Sequence, residues 1–237
     1  MQLFHINADK IHIKWNNIEV FSVPELVSQL RKVLRVKKWD KICIQCSGNN
    51  RTIRYELSVI DWSDKDLTAE IISNQTFPFP EKNVSMLIAM PNKREKAELI
   101  VQKLTEIWVS NIYFRVSEHS IIRQWNEKKA ERLNKISYEA VEQSRGIQVP
   151  EIKFLDEKDL KNFINWKDVI IANMDWIPYK EVIKNLWKDL CWVIWPEWWF
   201  SKKDLWLFKN ANIIDLWGNV LRMETASIVL ARLLKNM

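Results

Sequence analysis

Two rhythms of apolar residues divide the chain. In the first third the rhythm is two: Ile11-His12-Ile13-Lys14, Lys41-Ile42-Cys43-Ile44-Gln45, Thr52 to Ile60 and Leu67 to Ile72 alternate apolar with polar positions, and turn residues separate them. This pattern predicts short strands with one buried face, closed into a small barrel. One stretch breaks the rhythm. From Pro24 to Val36, the residues Leu26, Leu30, Val33 and Leu34 fall on one side of a helix. Its end carries Arg31, Lys32, Arg35, Lys37 and Lys38, and Lys41 follows.

Phe77-Pro78-Phe79-Pro80 reads as a linker, and the pattern then changes. Val84 to Met90 is nearly continuous in apolar residues, as in a parallel strand buried on both faces. A helix follows, with Ala97, Ile100, Val101, Leu104 and Ile107 on one face. Asn111 to Val116 is the next strand, and Glu127 to Ser144 a long helix with Leu133, Ile136, Ala140 and Val141 as its stripe. Val169 to Asn173, Leu190 to Ile194 and Asn212 to Leu216 are further strands, and Thr225 to Leu234 is the last helix. Alternating strands and helices predict an α/β sheet domain. The expected division is 1–75 and 76–237.

Charge and cysteine content narrow the class only slightly. A net charge of +6 is compatible with a nucleic-acid partner. Three cysteines, without a second pair or a histidine cluster, point to a reduced, cytoplasmic protein and not to a disulfide or metal framework. The Cys43-x-x-Cys46 pair sits in an alternating strand and reads as structural. No stretch is long enough to span a bilayer.

The glycine count does change the picture. The chain has 14 Trp and 3 Gly. Glycine at its usual ~7% would number roughly 17 in a chain of this length. The tryptophans also stand where turns want glycine: Lys38-Trp39-Asp40, Ile107-Trp108-Val109, Asp175-Trp176-Ile177 and Leu216-Trp217-Gly218. They read as glycines, as happens when UGA codes for glycine and is written as tryptophan. Trp125 and Trp166 are candidates for true tryptophan.

Three turns follow three successive strands, after Asn173, Ile194 and Leu216. In an open parallel sheet, ligands bind beyond the carboxyl ends of the strands. With glycine at Trp176, Trp195, Trp198, Trp199 and Trp217, all three loops can bring backbone groups close to a ligand. Neither a G-x-G-x-x-G fingerprint nor a Gly-Lys-Ser/Thr phosphate loop is present. The polar residues near these turns are Glu197, Asn219, Arg222 and Glu224. After Phe200, Ser201 and Asp204 form a capping-box pattern that predicts a helix start.

Read with glycine, residues 194–200 become Ile-Gly-Pro-Glu-Gly-Gly-Phe, and 216–226 become Leu-Gly-Gly-Asn-Val-Leu-Arg-Met-Glu-Thr-Ala. Both resemble signature loops of the bacterial 16S rRNA uridine-N3 methyltransferases, in the trefoil-knotted (SPOUT) methyltransferase superfamily. Val33 to Asp40, Lys93 through Val109, and Glu142-Gln143-Ser144 through Val149-Pro150 resemble further segments of that family in the same order. The resemblance implies a PUA-like RNA-binding β-barrel at the N terminus and a knotted α/β domain at the C terminus. It implies a homodimer acting on 16S rRNA in the 30S subunit. It also implies S-adenosyl-L-methionine, held by Met174, Ile194, Trp195, Pro196, Glu197, Trp198, Trp199, Leu216, Trp217 and Leu221. Arg222, Glu224 and Glu197 would be catalytic, and Arg31, Lys32, Arg35, Lys37, Lys38 and Arg145 would contact RNA. The chain departs from the pattern at Arg145-Gly146, where the usual order of small residue and arginine is inverted, and at Gly218-Asn219.

The implied reaction places uridine N3 in line with the methyl group and sets positive charge near O2 and O4. Arg222 is the candidate for that charge, with Glu224 or Glu197 orienting it or accepting the N3 proton. Two rival readings differ in what they need. A related knotted enzyme would methylate a ribose 2′-hydroxyl or a tRNA base. A non-catalytic rRNA-binding or assembly protein would follow if the rings at 195, 198, 199 and 217 are real and block the loops.

Overall fold

A computed structural model describes residues 2–81, 83–117, 120, 125–165, 167–178, 189–194, 206–215 and 221–235. The chain forms two compact units, residues 1–79 with 141–148, and residues 80–140 with 149–237.

The first unit is a six-stranded mixed sheet around one apolar core. Its strands are β1 (Leu3–His5), β2 (Ile11–Lys14), β3 (Asn17–Val20), β4 (Lys41–Gly48), β5 (Arg51–Trp62) and β6 (Leu67–Pro78), in the order β1-β4-β5-β6-β3-β2. Every pairing is antiparallel except β1 with β4. Period-two alternation puts Ile18 and Val20, Ile42 and Ile44, Leu57 and Val59, and Leu67 and Ala69 on one face. Helix α1 (Pro24–Ser28) covers that face with Leu26 and Val27. The helix expected to run to Val36 ends earlier as an α-helix. A single π turn, Gln29–Val33, continues it and turns Leu30 into the core while Arg31 and Lys32 face outward. β6 runs through Phe77 and Pro78, so the expected linker is partly strand, paired with Thr52 and Arg51.

Sequence reasoning missed the part of this unit that comes from far along the chain. Residues 141–148, at the end of the long helix, are fastened by side chains of β4 and β5. Three consecutive carbonyls each accept a side-chain bond. Arg54 Nη2 donates to Arg145 (3.1 Å), Gln45 Nε2 to Gly146 (2.8 Å) and Thr52 Oγ1 to Ile147. Gln45 is fully buried, and its Oε1 accepts from Arg54 Nε and Nη2 at 3.1 and 2.9 Å. A buried amide is tolerated when its donors and acceptors are met, and here both ends are. His5 lies beside it. Its backbone N–H donates to Glu142 Oε1 at 2.9 Å, and its Nδ1 is 3.2 Å from Gln45 Nε2.

The second unit is an all-parallel sheet. β7 (Val84–Ala89), β8 (Asn111–Arg115), β9 (Glu151–Phe154), β10 (Asp168–Pro178), β11 (Leu190–Ile194) and β12 (Asn212–Asp215) stand in the order β12-β10-β11-β7-β8-β9. Alternation sorts each strand between two cores. Met86, Ile88, Ile112, Phe114, Ile170, Trp192, Ile194 and Ile214 face one side, under α2 (Arg94–Glu106) and α5 (Met223–Lys235). Leu87, Tyr113, Val169, Ile171, Cys191 and Val193 face the other, with Leu160 of α4 (Glu157–Ile164). Asp156 caps α4 by accepting from the Asp159 N–H at 2.8 Å. Helix α3 spans Glu127–Ser144, as its apolar stripe predicts. The central strands β7 and β11 are buried on both faces, which explains their unbroken apolar runs. Among the described residues, no helix is long and apolar enough to cross a membrane.

Burial lowers the pKa of His5 to about 4, so it is neutral when folded and titrates near 6.5 when unfolded. Its contribution is complete above pH 6.5 and is lost as pH falls from 6.5 toward 4. Urea denaturation should show the wild type losing stability from pH 7 to pH 4.5 more steeply than His5→Gln. The gap between them should grow toward about 3 kcal/mol at the low end.

Candidate ligand site and basic surface

The register of the second sheet places the carboxyl ends of three strands side by side. β10 pairs with β11 on one side and with β12 on the other, all parallel, so their carboxyl ends share one edge. The turn expected after Asn173 takes a different form. β10 continues as one strand to Pro178, but both Ala172 and Ile177 pair with Ile214. Residues 173–176 therefore leave the ladder as an excursion within the strand, with Met174 inside it. Sequence reasoning ended the strand at Asn173 because the polar run hid the return of Ile177 and Pro178 to the sheet.

Ile194 ends β11 with its side chain buried in the core, so any contribution beyond the edge comes from its backbone. Trp195, Pro196, Glu197, Trp198, Trp199, Leu216 and Trp217 lie outside the described residues, as do Ser201 and Asp204. After β12, the chain returns at Leu221 and Arg222 and enters α5. The Ala226 N–H donates to the Arg222 carbonyl at 2.8 Å, so Arg222 stands at the helix start. α5 packs on β7, β11 and α2. Arg222 is exposed and Glu224 half-buried in the first turn. One Glu224 oxygen, Oε2, is buried and has no hydrogen-bond partner among the described residues. A carboxylate at a helix start is favoured by the dipole, but a buried oxygen without a donor is costly. A ligand that brings a donor to the sheet edge would relieve that cost, so Glu224 fits a cofactor with hydroxyl or amine groups. Among the described residues, no group of three or more His, Cys, Asp or Glu is placed to hold a metal. Cys43, Cys46 and Cys191 are free thiols, and burial pushes all three up, Cys191 to about 12.

The six basic residues expected to touch RNA all fall in the first unit, including Arg145 through its 141–148 segment. They are not equivalent. Arg31 is 3.3 Å from Asp64 and Lys38 is 3.0 Å from Asp61, both exposed ion pairs. Lys32, Arg35 and Lys37 are exposed, and no ion pair with a described residue holds them. Arg35 also has a positive φ of 54°, just after the π turn, and Arg145 one of 53°. The Gly146 N–H donates to the Val141 carbonyl at 2.9 Å, so Arg145 takes the left-handed position that closes α3. In the inverted Arg145-Gly146 order, the helix stop therefore falls on the arginine, not on the glycine. Arg54 was not foreseen. Burial lowers its pKa, and its guanidinium donates to the Arg145 carbonyl. The available signal was Gln45, a polar residue that ends the otherwise apolar run of β4.

A parallel α/β sheet with the carboxyl ends of β10, β11 and β12 at one edge, and with an arginine and a half-buried glutamate at the helix start that follows β12, is an α/β domain of the kind that binds ligands beyond its strand ends. The chain belongs to the RNA methyltransferase domain family, whose family model matches residues 79–235. Among curated proteins, none matches the chain in sequence. Solved structures share the fold over the whole chain. Ribosomal RNA small subunit methyltransferase E from Neisseria gonorrhoeae, bound to S-adenosyl methionine, superposes with a TM-score of 0.80 at 18% identity, covering 100% of this chain and 97% of that one. A Legionella pneumophila protein assigned as a methyltransferase, in complex with its bound cofactor SAM, gives 0.77 at 20%, covering 100% and 98%. An RNA methyltransferase predicted for Thermotoga maritima gives 0.69 at 19%, covering 100% and 98%.

The unpaired Glu224 oxygen has a consequence for stability. Glu224→Leu should leave the unfolding free energy in urea unchanged or higher, by up to about 2 kcal/mol, because the lost dipole interaction is smaller than the relieved desolvation.

Proposed function

We propose that the chain methylates N3 of a uridine in 16S rRNA within the small ribosomal subunit, using S-adenosyl-L-methionine. It acts as a cytoplasmic homodimer with a trefoil-knotted C-terminal domain and a PUA-like N-terminal barrel. The reading is carried by the adjacency of the β10, β11 and β12 carboxyl ends, because the segments that follow β11 and β12 carry the uridine-N3 family's sequence motifs. The matching family model and the S-adenosylmethionine bound in two solved relatives support it.

S-adenosylmethionine, when bound, supplies an electrophilic methyl group on a sulfonium. The chain supplies the rest. Backbone groups at Met174, at 194–199 with Glu197, and at Leu216, Trp217 and Leu221 hold the cofactor. The buried Oε2 of Glu224 accepts a hydrogen bond from it or from the base. Arg222 presents its guanidinium to O2 and O4 of the uracil, where charge develops as N3 loses its proton. Glu197 or Glu224 accepts that proton, directly or through water. The N3 edge is engaged in a paired base, so the uridine is taken unpaired or flipped. Lys32, Arg35, Lys37 and Arg145 bind backbone phosphates, while Arg31 and Lys38 are partly neutralised by Asp64 and Asp61.

The test is methyl transfer to small subunits lacking base methylation, with two versions of the protein: the chain as written, and one with Trp15, Trp39, Trp108, Trp176, Trp195, Trp198, Trp199 and Trp217 changed to glycine. 3-Methyluridine formed by the glycine version is the expected product. A 2′-O-methylated or tRNA product would contradict the target. rRNA binding without transfer by either version would leave the non-catalytic reading, which rings at 195, 198, 199 and 217 favour. In the active version, Arg222→Ala should lower kcat by about 10²–10³-fold. The triple variant Lys32→Ala/Arg35→Ala/Lys37→Ala should flatten the slope of log affinity against log salt by about 2–3, and Arg31→Ala alone by less than 1.

A further inference from the structure

Three turns of the described chain have backbone geometry that glycine adopts freely and a bulky residue resists. Each is a different kind of turn, and each holds a tryptophan at the one position that asks for glycine. β2 and β3 are joined by Trp15 and Asn16, inside the Lys14–Asn17 pair. Trp15 has a φ of 56°, and Asn16 is not among the residues with positive φ. A two-residue hairpin with positive φ at its first central residue alone is a type II′ turn, whose first position takes glycine.

The second turn is Lys37–Asp40, closed by the Asp40 N–H donating to the Lys37 carbonyl at 3.2 Å. Trp39 is its third residue and has a φ of 74°. Positive φ at the third residue defines a type II turn, which takes glycine there. The third is the end of α2. The Trp108 N–H donates to the Thr105 carbonyl at 2.9 Å, and the Val109 N–H to the Leu104 carbonyl at 3.1 Å. This is the paired bonding of a Schellman stop, and Trp108, with a φ of 67°, fills the left-handed position.

The indoles of Trp15 and Trp39 gain little burial in exchange for this backbone strain. Trp15 is 101% exposed and Trp39 68%. Trp108 is also among the exposed large apolar residues. Trp125 behaves differently: it is half-buried and stacked between Phe114 and Phe154, with ring centroids 5.8 Å away on each side. Five other non-glycine residues share the left-handed region, Ser22, Arg35, Asn49, Asn50 and Arg145. Asparagine enters that region readily, whereas a bulky ring there is an outlier.

We propose that Trp15, Trp39 and Trp108 are glycines in the protein as its own cell makes it, encoded by UGA codons read as glycine. The inference stands on backbone geometry and does not rest on the proposed function. Its bearing on that function is direct: the same decoding at Trp195, Trp198, Trp199 and Trp217 turns ring-filled segments after β11 and β12 into glycine loops.

Mass spectrometry of peptides from the protein isolated from its source organism tests this at the three positions. Glycine residue masses at 15, 39 and 108 are expected, and a tryptophan mass at any of them overturns the assignment there. A second measurement uses the recombinant chain. Trp15→Gly, Trp39→Gly and Trp108→Gly should each raise the thermal midpoint by about 2–4 °C, and Trp125→Gly should lower it. A lowered midpoint for the first three would count against the proposal.

Discussion

The parallel pairing of β10 with β11 on one side and β12 on the other is the constraint on which the candidate site depends. Parallel strands send every carboxyl end to the same edge, so loops far apart in sequence become neighbours without touching one another in the chain. The pairing is held by side chains on both faces. Ile170, Trp192 and Ile214 pack on one side, and Val169, Ile171, Cys191 and Val193 on the other. With both faces dry, a one-residue slip would exchange the two cores, so the register is fixed by shape as well as by hydrogen bonds. The height at which the loops leave the sheet is fixed with it.

The first unit solves a different problem. A small mixed sheet has little core, and here it gains a segment from the far end of α3. Arg54, Gln45 and Thr52 take three successive carbonyls, a polar fastening between side chains of two paired strands and the backbone of that segment. The same unit carries exposed basic residues of two kinds: Arg31 and Lys38, tied to aspartates, and Lys32, Arg35 and Lys37, which hold no ion pair with a described residue. Charge counts alone do not distinguish them. Exposed pairs contribute little to stability, yet a neighbouring aspartate reduces what Arg31 and Lys38 can offer a phosphate.

Much of this was legible in the chain. Period-two runs marked β2, β4, β5 and β6, and continuous apolar runs marked β7 and β11, because burial on one face or two leaves a direct trace in residue type. β1 was missed because three residues are too few to show a period, whereas β3 alternates as Asn17-Ile18-Glu19-Val20 and its period was there to be read. The π turn was missed because it keeps a helix-like pattern. The fastening of 141–148 was illegible because hydrogen bonds to carbonyls leave no mark on the residues that accept them. At the candidate site, Arg222 and Glu224 were legible through their place in a motif, while the unpartnered state of Glu224 Oε2 is a property of packing alone. Trp39 and Trp108 were legible through their turn neighbours, whereas Trp15 needed the observed φ.

Hydrogen exchange with and without S-adenosylmethionine tests the central claim most directly. The protein for it carries Trp195→Gly, Trp198→Gly, Trp199→Gly and Trp217→Gly, so that the loops have room. The account predicts added protection confined to the segments that follow β10, β11 and β12 and to the first turn of α5. No added protection, or protection centred on the first unit or on the opposite edge of the sheet, would contradict it.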